Sequence, residues 1–170
     1  VSDRANSAAS KMSPGDVDWS RILTQERVRW FHTGGIFAGL SESTADLALE
    51  GMRMARREGT VVSYDINFRA SLWNTQDRDP VTVNRRLLDE VDVVFGSVED
   101  YRTALGLGID SCSLHEWVTE QDRFAALAGE VRQLFPHVKM VAMSLRDSRT
   151  AGFNHWGGLI DMAGKVDAGR

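Results

Sequence analysis

The stretch TVVSYDINFRASLW at residues 60–73 decides the fold of this chain. Its first part, residues 60–64, is short, apolar and rich in β-branched side chains, which predicts a buried strand. This strand runs into Asp65, Asn67 and Arg69, three polar residues at alternate positions. Alternate side chains of an extended segment point the same way, so we expect these three to line one side of a cleft.

Predicted strands and helices alternate on both sides of this stretch. The other strands are expected at residues 28–33, 91–95 and 138–144, and the helices at residues 43–58, 81–90, 98–105 and 121–134. Ser43 is expected to cap the first helix. Residues 151–156 and 159–162 predict a hairpin turned by Gly157 and Gly158. Strands separated by helices of this length predict βαβ units and a mostly parallel sheet.

The composition is that of one globular domain. Of the 170 residues, 42% are hydrophobic and 26% are charged, and no apolar run approaches the ~18–20 residues that span a bilayer. The formal net charge is −4, and the basic residues are scattered, which argues against a general nucleic-acid binder. A single cysteine, Cys112, excludes an intrachain disulfide, and no signal peptide is visible. We therefore expect a cytoplasmic protein.

Ligands of parallel sheets bind beyond the carboxyl ends of the strands. That rule selects residues 33–39, 65–73, 96–100 and 144–150. Arg69 can hold a carboxylate or a phosphate through two parallel hydrogen bonds. Asn67 offers both donors and an acceptor to hydroxyl groups. The alternative for these residues is a capped turn with an arginine salt bridge.

Other positions at the strand ends carry weaker signals. Gly34 and Gly35 let backbone approach a ligand closely, but a plain tight turn also explains them. Ser97 lies at the start of a predicted helix, where N–H groups attract anions, and it can equally be only an N-cap. The four histidines share no pairing motif, so we expect no metal centre built from them.

The segment DINFRASLW at residues 65–73 resembles the D-x-N-x-R-x-x-L-W signature of the ribokinase (PfkB) family of sugar kinases, and especially of the 2-keto-3-deoxygluconate kinases. Three further segments resemble that family in order and spacing. They are SDRANSAA at residues 2–9, WFHTGGI at residues 30–36 and VVFGSVED at residues 93–100. Four ordered matches across nearly the whole chain are more specific than any one of them alone.

This resemblance implies a ribokinase-like fold, with three layers (α/β/α) around a mostly parallel sheet. Residues 1–170 would form a single domain, the central part of a longer kinase, with residues 1–10 at the end of its lid and most of the lid and the C-terminal catalytic segment missing. The implied activity is phosphorylation of a sugar acid, 2-keto-3-deoxygluconate, to its 6-phosphate, with ATP and Mg2+ as cofactors. The partners would be the sugar acid and ATP, with no nucleic acid and no membrane, and a homo-oligomer is compatible with the intact protein.

The resemblance also assigns roles by matching position. The residues that would contact the substrate are Arg4, Gly35, Ile36, Asn67 and Arg69. The residues on the nucleotide side would be Ser97, Asp100, Ser144 and Arg146. Asp100 would also organise Mg2+ indirectly. The family's catalytic Asp lies in a G-A-G-D motif that does not occur in this sequence, so we expect it beyond Arg170 and expect the 170 residues alone to be inactive.

Three positions depart from the pattern of the resembled kinases. Ser2 stands where the subgroup shows Tyr, and Ser97 and Asp100 replace the Asn and Glu of its N-x-x-E motif. Asp keeps the charge of Glu but shortens its reach by one methylene. Two alternatives therefore stay open: another PfkB-family sugar kinase, such as a fructokinase or a 5-keto-2-deoxygluconate kinase, and a non-catalytic remnant that binds a sugar acid.

Overall fold

A computed structural model of the chain describes residues 6–74, 77–109, 116–117, 121–150 and 152–169, without the side chains of 147–150 and 153. They form a six-stranded sheet in the order β1-β2-β3-β4-β5-β6. The strands are β1 Trp30–Gly34, β2 Val61–Asp65, β3 Val93–Ser97, β4 Met140–Thr150, β5 Phe153–Met162 and β6 Lys165–Gly169. Strands β1 to β4 pair in parallel, and β5 and β6 add in antiparallel fashion. The mostly parallel sheet expected from the sequence is confirmed.

Helices connect the parallel strands. They are α1 Gly35–Ala38, α2 Glu42–Arg57, α3 Ala70–Trp73, α4 Pro80–Leu88, α5 Val98–Leu105 and α6 Gln121–Leu134. A 3₁₀ turn, Ala8–Lys11, and a π-helical turn, Ser20–Gln25, precede β1. In the described residues, no helix is both long enough and apolar enough to cross a membrane.

Two local predictions are wrong. Helix α2 is capped by Ser41 rather than Ser43, because Ser41 accepts a hydrogen bond from Thr44 N while the Thr44 hydroxyl accepts one from Ser41 N. The pair Gly157 and Gly158 does not turn a hairpin. Both glycines lie inside β5, where they pair with Leu145 and Ser144 of β4. The signal was misleading because glycine marks turns far more often than it sits in the middle of a paired strand.

The helices and the sheet enclose one apolar core. Because β1 to β4 follow one another in the sheet, right-handed crossovers bring all the connecting helices to the same face. On that face Val62, Tyr64, Val94 and Val141 are fully buried. The Tyr64 hydroxyl donates to Asn84 Oδ1 at 2.7 Å, which satisfies the polar end of this buried ring.

The opposite face of the sheet has no helical cover in the described part of the chain. Four of its large apolar side chains are open to solvent: Trp30 is 51% exposed, Ile160 42%, Met162 58% and Trp156 61%. The described residues thus form two layers, a sheet and one layer of helices. The second helical layer that the resemblance implies is not among them.

Candidate functional site

The carboxyl ends of the four parallel strands meet along one edge of the sheet. The strand register places Gly34 beside Asp65, and Ser97 beside Ser144. Asp65 in turn lies beside Phe95, two residues before Ser97. The segments that the sequence selected from four separate places are therefore brought together.

Close packing explains the glycines that follow β1. A Cβ atom on Gly34 would stand 2.8 Å from Asp65 O, and one on Gly35 only 1.9 Å from Ile66 O. Glycine is therefore required here by the backbone of the neighbouring strand end, whether or not a ligand approaches. Ile36 is half-buried and packs against a small apolar cluster of Leu40, Leu72 and Trp73.

The segment after β2, residues 66–69, departs from the extended conformation at Asn67, and we call it the turn of residues 66–69. Asn67 has a φ of 40°, in the left-handed region, and its amide donates to Asp65 Oδ2 at 3.1 Å. The strict alternation expected for Asp65, Asn67 and Arg69 is therefore wrong, because the backbone of Asn67 is left-handed rather than extended. Asp65 and Asn67 still contact each other. The Arg69 side chain is exposed, and its guanidinium donates to Phe68 O at 2.8 Å.

A capping box begins helix α5. Ser97 Oγ accepts from Asp100 N at 3.3 Å, and Asp100 Oδ2 accepts from Ser97 N at 2.6 Å and from Ser97 Oγ at 2.7 Å. The other carboxylate oxygen of Asp100, Oδ1, accepts from Phe68 N at 2.6 Å. Asp100 is 7% exposed. It therefore joins the start of α5 to the turn that follows β2.

Asp65 and Asp100 bring two carboxylates to the same edge of the sheet. Burial raises the pKa of Asp65, and the negative charge of Asp100 raises it further. His32, the amide of Asn67 and the guanidinium of Arg69 act in the opposite direction without cancelling the increase. This edge is therefore a place of negative potential, where a bound cation would stabilise the ionised carboxylates.

A cavity of about 340 Å³ opens beside these groups. Its lining includes His32, Asp65, Gly96 and Ser144. His32, which carries no motif in the sequence, lies on this cavity, where its Nδ1 is 2.8 Å from Ser63 Oγ and its ring packs edge-on against Phe95. The signal that could have found it is the strand register, because His32 pairs with Ser63, two residues before Asp65 on the same face.

Not every residue of the expected site joins this group. Arg4 lies outside the described residues, as does Cys112. Arg146 does not line the cavity. Its guanidinium donates to Asn154 Oδ1 at 3.0 and 3.1 Å and lies over the Trp156 ring at 5.2 Å. Within the described ranges there is no group of three or more His, Cys, Asp and Glu side chains that could hold a metal ion.

Known proteins share this arrangement of strands and sequence. No family model matches the sequence. The 2-dehydro-3-deoxygalactonokinase of Haloferax volcanii is 30% identical over 115 residues, which are 67% of this chain and 34% of that protein. The crystal structure of 2-dehydro-3-deoxygluconokinase from Thermotoga maritima superposes with a TM-score of 0.84 and 30% identity, over 99% of this chain and 47% of that one. The chain belongs to the PfkB family of carbohydrate kinases.

Other members of the PfkB family agree in fold. A PfkB family carbohydrate kinase from Listeria grayi superposes with a TM-score of 0.75 at 21% identity, over 94% of this chain and 44% of that one. The chain spans about a third of the curated relative and about half of these solved structures. The resemblance stated for residues 65–73 and three other segments is thereby confirmed at the level of the family.

Proposed function

We propose that this chain carries the sugar-acid side of a PfkB kinase that phosphorylates a 2-keto-3-deoxy sugar acid, such as 2-keto-3-deoxygluconate, at its 6-hydroxyl. The observation that carries the proposal is the turn of Asp65, Asn67 and Arg69 at the carboxyl end of β2. It stands beside Gly35 on a scaffold 30% identical to kinases that act on such acids.

Arg69 supplies the proposed selectivity for an acid. Its guanidinium is exposed and held only by the neighbouring Phe68 carbonyl among described groups, so its other N–H groups can face a ligand. A planar fork of donors matches a carboxylate in a bidentate arrangement. Asn67 and the backbone at Gly35 and Ile36 would border the sugar hydroxyls. We propose that Arg4 shares the carboxylate with Arg69.

ATP would bind on the side of Ser97 and Ser144, with Arg146 contributing there, and Asp100 would act on that side only by capping the helix that begins after Ser97. The residues present fit a Mg2+ ion that accompanies the nucleotide, because such an ion is held by one or two carboxylates together with phosphates and water. Asp65 offers one partly exposed carboxylate, and Asp100, whose two oxygens accept from Ser97 and Phe68, would support such an ion only indirectly. When bound, the ion would neutralise charge on the phosphates.

The proposed reaction is a phosphoryl transfer. The sugar oxygen forms a bond to the γ-phosphorus, the bond from that phosphorus to the bridging oxygen breaks, ADP leaves, and the hydroxyl proton passes to a base. The residues of this chain would act by positioning the acid end of the sugar, so that its far hydroxyl reaches the phosphate. We assign the base to no residue of these 170.

Binding of the sugar acid tests the first half of the proposal. Isothermal titration of the chain with 2-keto-3-deoxygluconate and with its neutral analogue, in which the carboxylate is reduced to an alcohol, should show saturable binding of the acid only. Arg69→Ala should weaken binding of the acid about ten- to a hundredfold, as expected for a lost bidentate charged contact. Arg57→Ala, an exposed arginine at the end of α2, is the matched control and should change nothing.

A substrate panel with detection of ADP tests the second half. ADP formation with 2-keto-3-deoxygluconate or 2-keto-3-deoxygalactonate supports the proposed kinase, whereas a preference for fructose or 5-keto-2-deoxygluconate indicates another member of the family. Because no base is assigned within these 170 residues, saturable binding of the acid without ADP is expected of the chain alone and supports only the first half of the proposal. An unchanged affinity in Arg69→Ala would refute the carboxylate role of Arg69.

A further inference from the structure

The helix start at Ser97 and the turn at Asn67 are joined by one side chain. Asp100 Oδ2 is used by Ser97, and Asp100 Oδ1 accepts from Phe68 N at 2.6 Å, across 32 positions in the sequence. This carboxylate is 7% exposed and points back into the protein rather than out towards solvent. Both of its oxygens are thus engaged by protein donors.

The turn that Asp100 reaches has an uncommon backbone conformation. Asn67 adopts a φ of 40°, in the left-handed region that Asn enters more readily than other residues with a Cβ. Two contacts hold it: the hydrogen bond from Asn67 Nδ2 to Asp65 Oδ2, and the Asp100 contact to the next backbone N–H, that of Phe68. A charged acceptor makes the stronger kind of hydrogen bond.

We infer that Asp100 is a positioning residue for the turn of residues 66–69, and that it sets the direction in which Asn67 and Arg69 face the sugar acid. The inference rests on the proposed function for the identity of the ligand but not for the position of the turn. In the resembled kinases a Glu stands at this position. The side chain of Asp is shorter by one methylene. Its carboxylate therefore lies close to the first turn of the helix, within hydrogen-bond distance of Phe68 N.

Replacing the Asp100 carboxylate by an amide of the same shape tests whether its contact with Phe68 N positions the turn. Two sets of donors converge on Asp100, one from Ser97 and one from Phe68, and a carboxylate accepts both because each oxygen is an acceptor. The amide of Asp100→Asn has the same shape but only one acceptor oxygen. Whichever way it is oriented, its NH2 group meets an N–H donor. Because Ser97 supplies two donors and Phe68 only one, the amide oxygen stays at Ser97, and the variant loses the contact with Phe68.

Asp79 offers a matched control. It caps helix α4 with the same chemistry, since Oδ1 accepts from Val81 N at 3.2 Å and Oδ2 accepts from Thr82 N at 2.9 Å and from Thr82 Oγ1 at 2.6 Å. Its side chain is exposed, and its hydrogen-bond partners among the described residues, Val81 and Thr82, lie on its own helix. Asp79→Asn thus reproduces the loss of one acceptor oxygen at a helix start without touching that turn.

Amide hydrogen exchange of the 170-residue chain, followed by NMR, tests the position of the turn. Exchange at Phe68 should accelerate about tenfold in Asp100→Asn and less than about twofold in Asp79→Asn. If Asp100→Asn does not fold, as judged by far-UV circular dichroism, Asp100→Glu replaces it. Its longer arm keeps the charge and the capping box but displaces the carboxylate from Phe68 N. Unchanged exchange at Phe68, or equal acceleration in Asp79→Asn, would overturn the inference.

Titration of the same variants with 2-keto-3-deoxygluconate and with ATP tests the consequence for the ligand. Asp100→Asn should raise the Kd of the sugar acid about tenfold and that of ATP less than about twofold. The opposite pattern would overturn the inference and return Asp100 to the nucleotide side. If the unmodified chain binds no sugar acid, the proposed function fails, while exchange at Phe68 still decides whether Asp100 positions the turn.

Discussion

Gly35 packs against the carbonyl oxygen of Ile66 so closely that a Cβ atom on Gly35 would stand 1.9 Å from that oxygen. The obstacle is backbone, which cannot rotate away as a side chain can. Gly35→Ala should therefore push apart the ends of β1 and β2 and lower the free energy of unfolding by about 2–4 kcal/mol. Urea denaturation followed by circular dichroism measures this loss.

Gly129 is the matched control for that substitution. It lies within helix α6, and a Cβ atom there would have no neighbour within 4 Å. Gly129→Ala should raise the free energy of unfolding by about 0.5–1 kcal/mol, because alanine restricts the unfolded chain and favours the helix. Equal effects of the two substitutions, in either direction, would contradict the close packing described for Gly35.

Asp65 should oppose folding at neutral pH. Burial and the charge of Asp100 raise its pKa in the folded chain, so the folded state binds the proton more tightly than the unfolded state does. Stability is then lost as the pH rises from the ordinary carboxyl range through the raised pKa. In thermal-shift measurements at constant ionic strength, Asp65→Asn should raise Tm at pH 7 and leave Tm unchanged at pH 3. Because the carboxylate is partly solvated, we expect a gain below about 1 kcal/mol.

Asp92 should behave with the opposite sign. Burial alone would raise its pKa, but a hydrogen bond from Val62 N at 3.0 Å and the ammonium of Lys139 at 2.9 Å hold the pKa below its usual range. A depressed pKa contributes stability above the ordinary carboxyl range, and this stability is lost as the pH falls through the folded value. Asp92→Asn should cost about 1–2 kcal/mol at pH 7 and much less at pH 3.

The same pH series checks both carboxylates. A loss in Asp92→Asn that persists unchanged at pH 3 would mean that packing, rather than charge, is responsible for it. A fall in Tm for Asp65→Asn at pH 7 would show that the carboxylate is compensated in the folded chain. Since the two substitutions are chemically identical, their difference in sign isolates the surroundings of each group.

The sequence predicted the parallel part of the sheet because each of its strands is a short apolar run followed by a helical pattern. It could not predict the course of β5, since the pair Gly157 and Gly158 carries a turn signal that only the partner strand β4 overrides. The burial of the charged residue Asp161 was not predictable from the sequence either. It is fully buried in β5 and is ion-paired with Arg132 of α6, a contact that no pattern along the chain indicates.

The candidate site could be predicted in part. Strand ends alone selected Asp65, Asn67 and Arg69, because such ends gather ligand-binding groups in any parallel sheet. The left-handed backbone of Asn67 was not predictable, since the hydrogen bond from Phe68 N to Asp100 that accompanies it joins residues 32 positions apart. The place of His32 in the site was not predictable for a similar reason, because its neighbours Ser63 and Phe95 belong to other strands.

The open face of the sheet leads to a last prediction. Ile160 and Met162 stand at alternate positions of β5, and both are largely exposed on the side that bears no helix. Contiguous exposed apolar surface binds hydrophobic dyes and promotes association. The double variant Ile160→Lys with Met162→Lys should roughly halve the fluorescence of bound ANS and lower the sedimentation-average mass at high protein concentration.

Leu134 provides the control for this effect. It is 43% exposed, comparable to Ile160, but it ends helix α6 on the covered side of the sheet. Leu134→Lys should leave dye binding and association close to those of the unmodified chain, and all three substitutions should shift Tm by little because the side chains are already in water. If Leu134→Lys reduces dye binding as much as the double variant does, the apolar surface that associates is not the open face of the sheet. If neither variant reduces it, the exposed side chains of β5 are covered in solution, and a second copy of the chain lying on this face would be the first arrangement to test by sedimentation.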